Sequence, residues 1–217
     1  GAPADYSIPA QIERHQVTHL QGTPSLMRTI LADQRGREGL GRLRNLLVGG
    51  EPLPPALAGD LLQSITGDLL NMYGPTETTV WSSVAHVTDA TDVTIGRPIA
   101  NTQLYIVDRH QHPTPIGAPG ELLIGGDGVT KGYWNRPDLT AERFVQNPCV
   151  AKPDVVYRTG DLARYRDDGR IEFLGRLDHQ VKILGHRIEL GEIEARLGSH
   201  PAIAQSVVDV RTDGGGE

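Results

Sequence analysis

The sequence predicts an α/β fold in three parts: a partial parallel-sheet α/β layer, a small β-barrel, and the start of a small α+β C-terminal unit. Three observations predict it. Helix and strand patterns alternate through the first third of the 217 residues, as they do in sheets with a parallel core. Helical periodicity fades from about Val93, where short alternating runs and turn residues take over. A third character begins near Asp178, with a short strand and then helical spacing. The expected divisions are 1–92, 93–177 and 178–217.

Each element has its own signal. Thr23-Pro24 reads as an N-cap with proline at the first helical position, and Leu26, Met27, Ile30 and Leu31 follow at helical spacing. Leu43 to Val48 is a short apolar run closed by Gly49-Gly50, a buried strand. Pro54-Pro55 opens a helix with Leu57, Leu61, Leu62 and Ile65 on its inner face. Asp68 to Tyr73 is strand-like and stops at Gly74-Pro75. Further on, Leu104 and Ile106 alternate with Tyr105 and Val107, and Glu121 to Ile124 ends at Gly125-Gly126. Asp167-Asp168-Gly169 between two alternating runs is a hairpin signal. Val181 to Ile183 reads as a strand, Leu190, Ile193 and Leu197 as a helix face, and Val207 to Val210 as the start of another strand.

Composition narrows the partners. The net charge of −6 argues against nucleic acid or an anionic membrane surface. No apolar run reaches the roughly 20 residues that span a bilayer. The first residues carry no secretory signal, and Cys149 is the single cysteine, so a reducing cytoplasm is the default location. No histidine spacing fits a zinc site.

In open α/β sheets ligands bind beyond the carboxyl ends of strands, where two glycine loops lie here, after Val48 and after Tyr73. The second is Asn71-Met72-Tyr73-Gly74-Pro75-Thr76-Glu77-Thr78-Thr79. Gly74 and Pro75 fix a backbone that can approach a ligand closely. Thr76 can donate to a phosphate oxygen. Glu77 can hold Mg²⁺, which binds through one or two carboxylates plus substrate phosphates. Tyr73 offers a face for a base. Taken alone, Gly74-Pro75 would read as a turn before a helix cap.

The whole stretch resembles the Asn-x-Tyr-Gly-Pro-Thr-Glu motif of adenylate-forming enzymes. Gly120 to Gly126 running on to Gly132-Tyr133-Trp134, then Tyr157-Arg158-Thr159-Gly160-Asp161-Leu162, then Gly175 to Ile183 with Arg187 to Glu194, follow in that superfamily's order. The wording of the last favours the amino-acid adenylation domains of nonribosomal peptide synthetases. The resemblance runs over nearly the whole chain. It implies activation of an amino acid by ATP as aminoacyl-AMP, then transfer to the phosphopantetheine thiol of a carrier protein.

Carried over by position, the resemblance implies that Thr76 contacts the α-phosphate and Glu77 holds Mg²⁺. Tyr73 stacks on adenine, with Asn71, Gly74 and the Gly50-Glu51 backbone around it. Asp161 accepts from both ribose hydroxyls, and Phe173 and Arg176 line the same pocket. Asp178 is the hinge about which the last unit turns, and Lys182 enters the site in the thiol-transfer state. Leu184 stands where the motif often has Arg. Gln21, Leu47, Gly49, Met72, Val80 and Trp81 line the acyl pocket, Trp81 filling space and Gly49 leaving it; the set names no particular acid.

The resemblance also implies a lysine-bearing loop and a substrate-binding aspartate upstream of Gly1, and a catalytic lysine downstream of Glu217. On that reading the chain alone is inactive or nearly so. An acyl- or aryl-CoA synthetase of the same superfamily and a non-catalytic nucleotide-binding remnant are the alternatives.

Overall fold

The computed structural model describes residues 5–151, 154–177, 180–183, 186–200, 203 and 205–209. The first part alternates as expected: α1 (Ile8–His15), β1 (His19–Gly22), α2 (Pro24–Leu31), α3 (Gln34–Leu40), β2 (Asn45–Gly49), α4 (Pro55–Ser64) and β3 (Asp68–Tyr73). A 3-10 turn at Thr76–Thr78 leads to β4 (Ser83–Val87) and β5 (Arg97–Pro98). The five strands lie in sequence order in one sheet. The first three are parallel, and β4 and β5 are added antiparallel, so the sheet is mixed.

Local chemistry sets the helix starts. Thr23 Oγ1 accepts from the Leu26 amide at 3.2 Å, and Asp33 caps α3 through the Gly36 amide at 2.7 Å. Alternation then sorts the strands. Leu46, Val48, Leu69 and Val87 face a core built with Met27, Leu40, Leu57 and Leu61 from the helices. Burying each large side chain contributes about 1.5–3 kcal/mol. The other face of the sheet carries Gln21, Leu47, Gly49 and Met72, with Gln21 opposite Leu47 and Gly49 opposite Met72. That face holds the residues expected at the acyl pocket.

The second part is an antiparallel sheet. It comprises β6 (Thr102–Val107), β7 (Gly120–Gly126), β8 (Phe144–Gln146), β9 (Val155–Tyr165) and β10 (Ile171–Arg176), with α5 (Pro137–Arg143) leading into β8. The order is β10-β9-β7-β6, with β8 beside the start of β9. Irregular register between Glu121 and Leu123, and between Phe173 and Gly175, bends it. The sheet curls into a half-barrel whose edge strands do not pair with each other. Leu104 and Ile106 join one apolar cluster, while Val107 and Tyr105 join another, as their alternation predicts. The two sheets are tied where the Ile95 amide donates to the Ile171 carbonyl at 2.9 Å and the Ile171 amide to the Gly96 carbonyl at 2.8 Å.

The third part has an antiparallel pair, β11 (Gln180–Ile183) and β12 (His186–Glu189), then α6 (Leu190–Gly198). Lys182 sits on β11 opposite Arg187. Asp178 and Leu184 lie outside the described residues. The strand expected from Val207 does not form over the described residues 205–209, and Val207 is 81% exposed. A β-branched run makes a strand only where a neighbour takes its ladder, and no described strand pairs with it. Among the described residues, no helix is long and apolar enough to cross a membrane.

Candidate functional site

The site is built around the turn that ends β3. The Ser82 amide returns to the Tyr73 carbonyl at 2.8 Å, so the chain doubles back over Gly74. A Cβ on Gly74 would stand 2.5 Å from the Val80 carbonyl oxygen and 2.8 Å from the Ser82 nitrogen, which only glycine tolerates. Thr79 and Val80 then adopt φ of 62° and 72°, and the Trp81 amide donates to the Thr79 carbonyl at 2.9 Å. A β-branched residue in that region costs about 1–3 kcal/mol, and such strain collects at working turns. The result is an exposed Thr76, a Glu77 only 7% exposed, and a Trp81 sent back across the sheet.

Four of the residues expected at the nucleotide meet beside this turn. The Tyr73 hydroxyl donates to Asp161 Oδ2. The Arg176 guanidinium donates to Asp161 Oδ1 at 2.7 Å and to the Thr159 carbonyl at 2.8 Å. The Phe173 ring lies 6.5 Å from the Tyr73 ring at 39°. Asp161 is thereby held by one partner on each oxygen, and each oxygen keeps a second lone pair for a ligand hydroxyl. Burial first, and the Asp161 charge second, push the Tyr73 phenol well above its ordinary range, so it stays a donor.

Asn71 and Glu51 are committed differently. The Asn71 amide donates to the Thr94 carbonyl at 2.7 Å, within the core. Glu51 Oε2 accepts from the Ser25 amide at 3.0 Å and its hydroxyl at 2.7 Å, at the start of α2. Its Oε1 is buried with no hydrogen-bond partner among the described residues. Gly50, at φ 90°, turns the chain between β2 and Glu51, leaving backbone at the strand end.

The residues expected at the acyl pocket also gather. The Trp81 indole covers Gly49: a Cβ there would stand 2.6 and 2.7 Å from its Cη2 and Cζ3. Trp81 Nε1 donates to Gln21 Oε1 at 3.1 Å, which fixes the ring across three strands. Leu47 and Met72 are half-buried on the same face, and Val80 is 55% exposed at the apex of the turn.

Glu77 has a neighbour that sequence reasoning assigns no role. The Tyr133 hydroxyl donates to Glu77 Oε1 at 2.6 Å. Thr76, Glu77, Thr130, Tyr133 and Arg143 border a cleft of about 560 Å³. Gly132-Tyr133-Trp134 stands out in the sequence as part of a motif, which is the one signal that points to it.

A family model described as "AMP-binding enzyme" matches residues 2–134. The chain belongs to the AMP-binding enzyme family. Among curated members it is 46% identical over 213 residues to a dimodular nonribosomal peptide synthase of Bacillus subtilis, covering 97% of this chain and 9% of that protein. It is 44% identical over 209 residues to tyrocidine synthase 3 of Brevibacillus parabrevis, covering 95% of this chain and 3% of that protein. It therefore spans under a tenth of each of these two relatives. A solved four-domain nonribosomal peptide synthetase, holo-AB3403 bound to AMP and glycine, matches at 46% identity and TM-score 0.74, covering 96% of this chain and 16% of that one. PA1221, described as containing adenylation and PCP domains, matches at 33% identity and TM-score 0.85, covering 95% of this chain and 42% of that one. Within the AMP-binding family, the chain corresponds to part of a nonribosomal peptide synthetase adenylation domain.

Proposed function

We propose that the complete domain activates a small amino acid with ATP and passes it to a carrier protein. The observation that carries this is the meeting of Tyr73, Asp161 and Arg176 beside the Thr76–Glu77 turn, in a chain of this family. A substrate carboxylate oxygen attacks the α-phosphorus, the bond to pyrophosphate breaks, and aminoacyl-AMP forms. Two anions must be aligned and their charge offset, which is positioning and electrostatics. Thr76 donates to the α-phosphate, Tyr73 and Phe173 take adenine, and Asp161 takes the ribose hydroxyls while Arg176 holds its carboxylate in place. Bound Mg²⁺ would neutralise phosphate charge. Glu77 fits such an ion, being a carboxylate beside the Thr76 hydroxyl at the edge of an open cleft. In the second step the carrier's thiol sulfur attacks the acyl carbon, AMP leaves, and the thiol proton is released. Asp178 as the hinge and Lys182 as a residue of this second state belong to this proposal. The adenylation–PCP organisation of PA1221 supports the carrier.

The acid is small, and glycine is the first candidate. The sequence sets a space-filling Trp81 against a space-leaving Gly49; the indole lies over Gly49, and Gln21 holds it there. The neighbour bound to AMP and glycine supports the same reading. The test uses non-hydrolysable acyl-sulfamoyl adenylates bearing glycine, alanine or leucine, titrated into the complete domain. The glycyl compound should bind best, each added methylene costing about 10–200-fold. Trp81→Ala should narrow that gap. Equal binding of glycyl and leucyl compounds to the unaltered domain would refute the small-acid reading; failure of all three would refute the adenylate site.

A further inference from the structure

The turn that carries Thr76 and Glu77 is stitched to the 128–140 segment. The Thr130 amide donates to the Glu77 carbonyl at 2.9 Å, and Thr79 Oγ1 to the Gly128 carbonyl at 2.7 Å. One of these ties is backbone to backbone and the other runs from the Thr79 side chain to backbone. The third tie is of another kind, because the Tyr133 hydroxyl reaches the Glu77 carboxylate itself.

Tyr133 is built to stay there. Its own amide donates to Thr140 Oγ1 at 2.9 Å. Gly132, at φ 124°, lets the chain pass so close to Thr140 that a Cβ would stand 2.7 Å from that hydroxyl oxygen. The Phe144 ring packs edge-on against Tyr133 at 5.6 Å and against the buried Tyr157 at 5.2 Å. Burial, and then the bond to Glu77, raise the phenol far above its ordinary range.

We propose that Tyr133 is the positioning residue of Glu77, fixing its carboxylate as an oriented metal ligand without itself touching nucleotide. This rests on the adenylating reading above. A hydrogen bond donated to one carboxylate oxygen fixes the side chain's orientation before an ion arrives. Groups that orient a ligand from behind set metal affinity by about 10–100-fold.

The test compares the complete domain with Tyr133→Phe and Thr140→Val. Mn²⁺ binding is read by electron paramagnetic resonance in the presence of a non-reactive ATP analogue, with Tm measured in parallel. Tyr133→Phe should weaken Mn²⁺ binding roughly 10-fold. Thr140→Val removes one main-chain tie but keeps the Tyr133 hydroxyl and its Phe144 packing; it should lower Tm and cost clearly less Mn²⁺ affinity than Tyr133→Phe. Unchanged Mn²⁺ affinity in Tyr133→Phe would overturn the role of Tyr133 alone. So would an equal loss of affinity in Thr140→Val. Failure of the unaltered domain to bind Mn²⁺ with nucleotide would overturn the adenylating reading, and this proposal with it.

Discussion

Gly49 and Trp81 show how one residue makes room for another. The indole lies where a Cβ on Gly49 would stand, and the Met72 carbonyl crowds the same point. Gly49→Ala should therefore destabilise the protein by about 1–3 kcal/mol, as overpacking does, measured by denaturant unfolding. Tyr73 gives a second test. Its raised pKa means that the neutral phenol stabilises the fold fully below about pH 10. That contribution is lost as pH rises from there towards the folded value, because the unfolded phenol ionises first. Difference absorbance at about 295 nm should show Tyr73 and Tyr133 silent past about pH 11, ionising only as the protein unfolds. Ionisation near the ordinary phenol value in the folded protein would contradict the geometry. Gly49, Trp81, Tyr73 and Asp161 were legible in the sequence because their types and order match a family pattern. The bonds from Trp81 to Gln21 and from Tyr133 to Glu77 were not. Those pairs are far apart in the chain, and no periodicity announces a contact between single side chains.

Elements were legible where a face is buried and silent where it is not. α2 and α4 carry buried residues at helical spacing, and β6 sends alternate residues into two clusters. α5 buries no residue and so leaves no apolar stripe to read. β5 is two residues long and includes a proline. The β9–β10 hairpin is announced by Asp168-Gly169, and Gly169 takes the positive φ that the turn needs. Its setting is not. Arg166 and Arg170 reach Asp92, in the loop after β4, and the Arg97 guanidinium reaches the Asp168 carbonyl. Hydrogen bonds from the two arginines hold the Asp92 carboxyl below its usual range. This anchor therefore contributes fully above about pH 4 and is lost as pH falls through the depressed value. Asp92→Asn should lower Tm at about pH 6, with the difference closing as pH falls below about 4 and shrinking at high salt, because the pair is open to solvent. A difference that persists unchanged in acid would show that Asp92 is not the anchor of this hairpin.

At the scale of the molecule, the site exists because two sheets meet. β3 brings Tyr73, Thr76 follows on the turn, and the half-barrel brings Asp161, Phe173 and Arg176 to the same corner. The order of parts was readable from changes in periodicity, since each part buries its residues by a different rule. The bending of the second sheet was not, because the register shifts in β7, β9 and β10 have no apolar period to announce them. Gln21, Leu47 and Met72 share one face of the first sheet. The central claim is that this corner makes an acyl-adenylate from ATP. Its most direct measurement is ATP–pyrophosphate exchange by the complete domain across amino acids, aryl acids and fatty acids. Exchange with glycine, and at most one or two other small amino acids, is the predicted result. Exchange confined to acids lacking an α-amino group, or no exchange with any acid by a folded domain that still binds ATP, would contradict it.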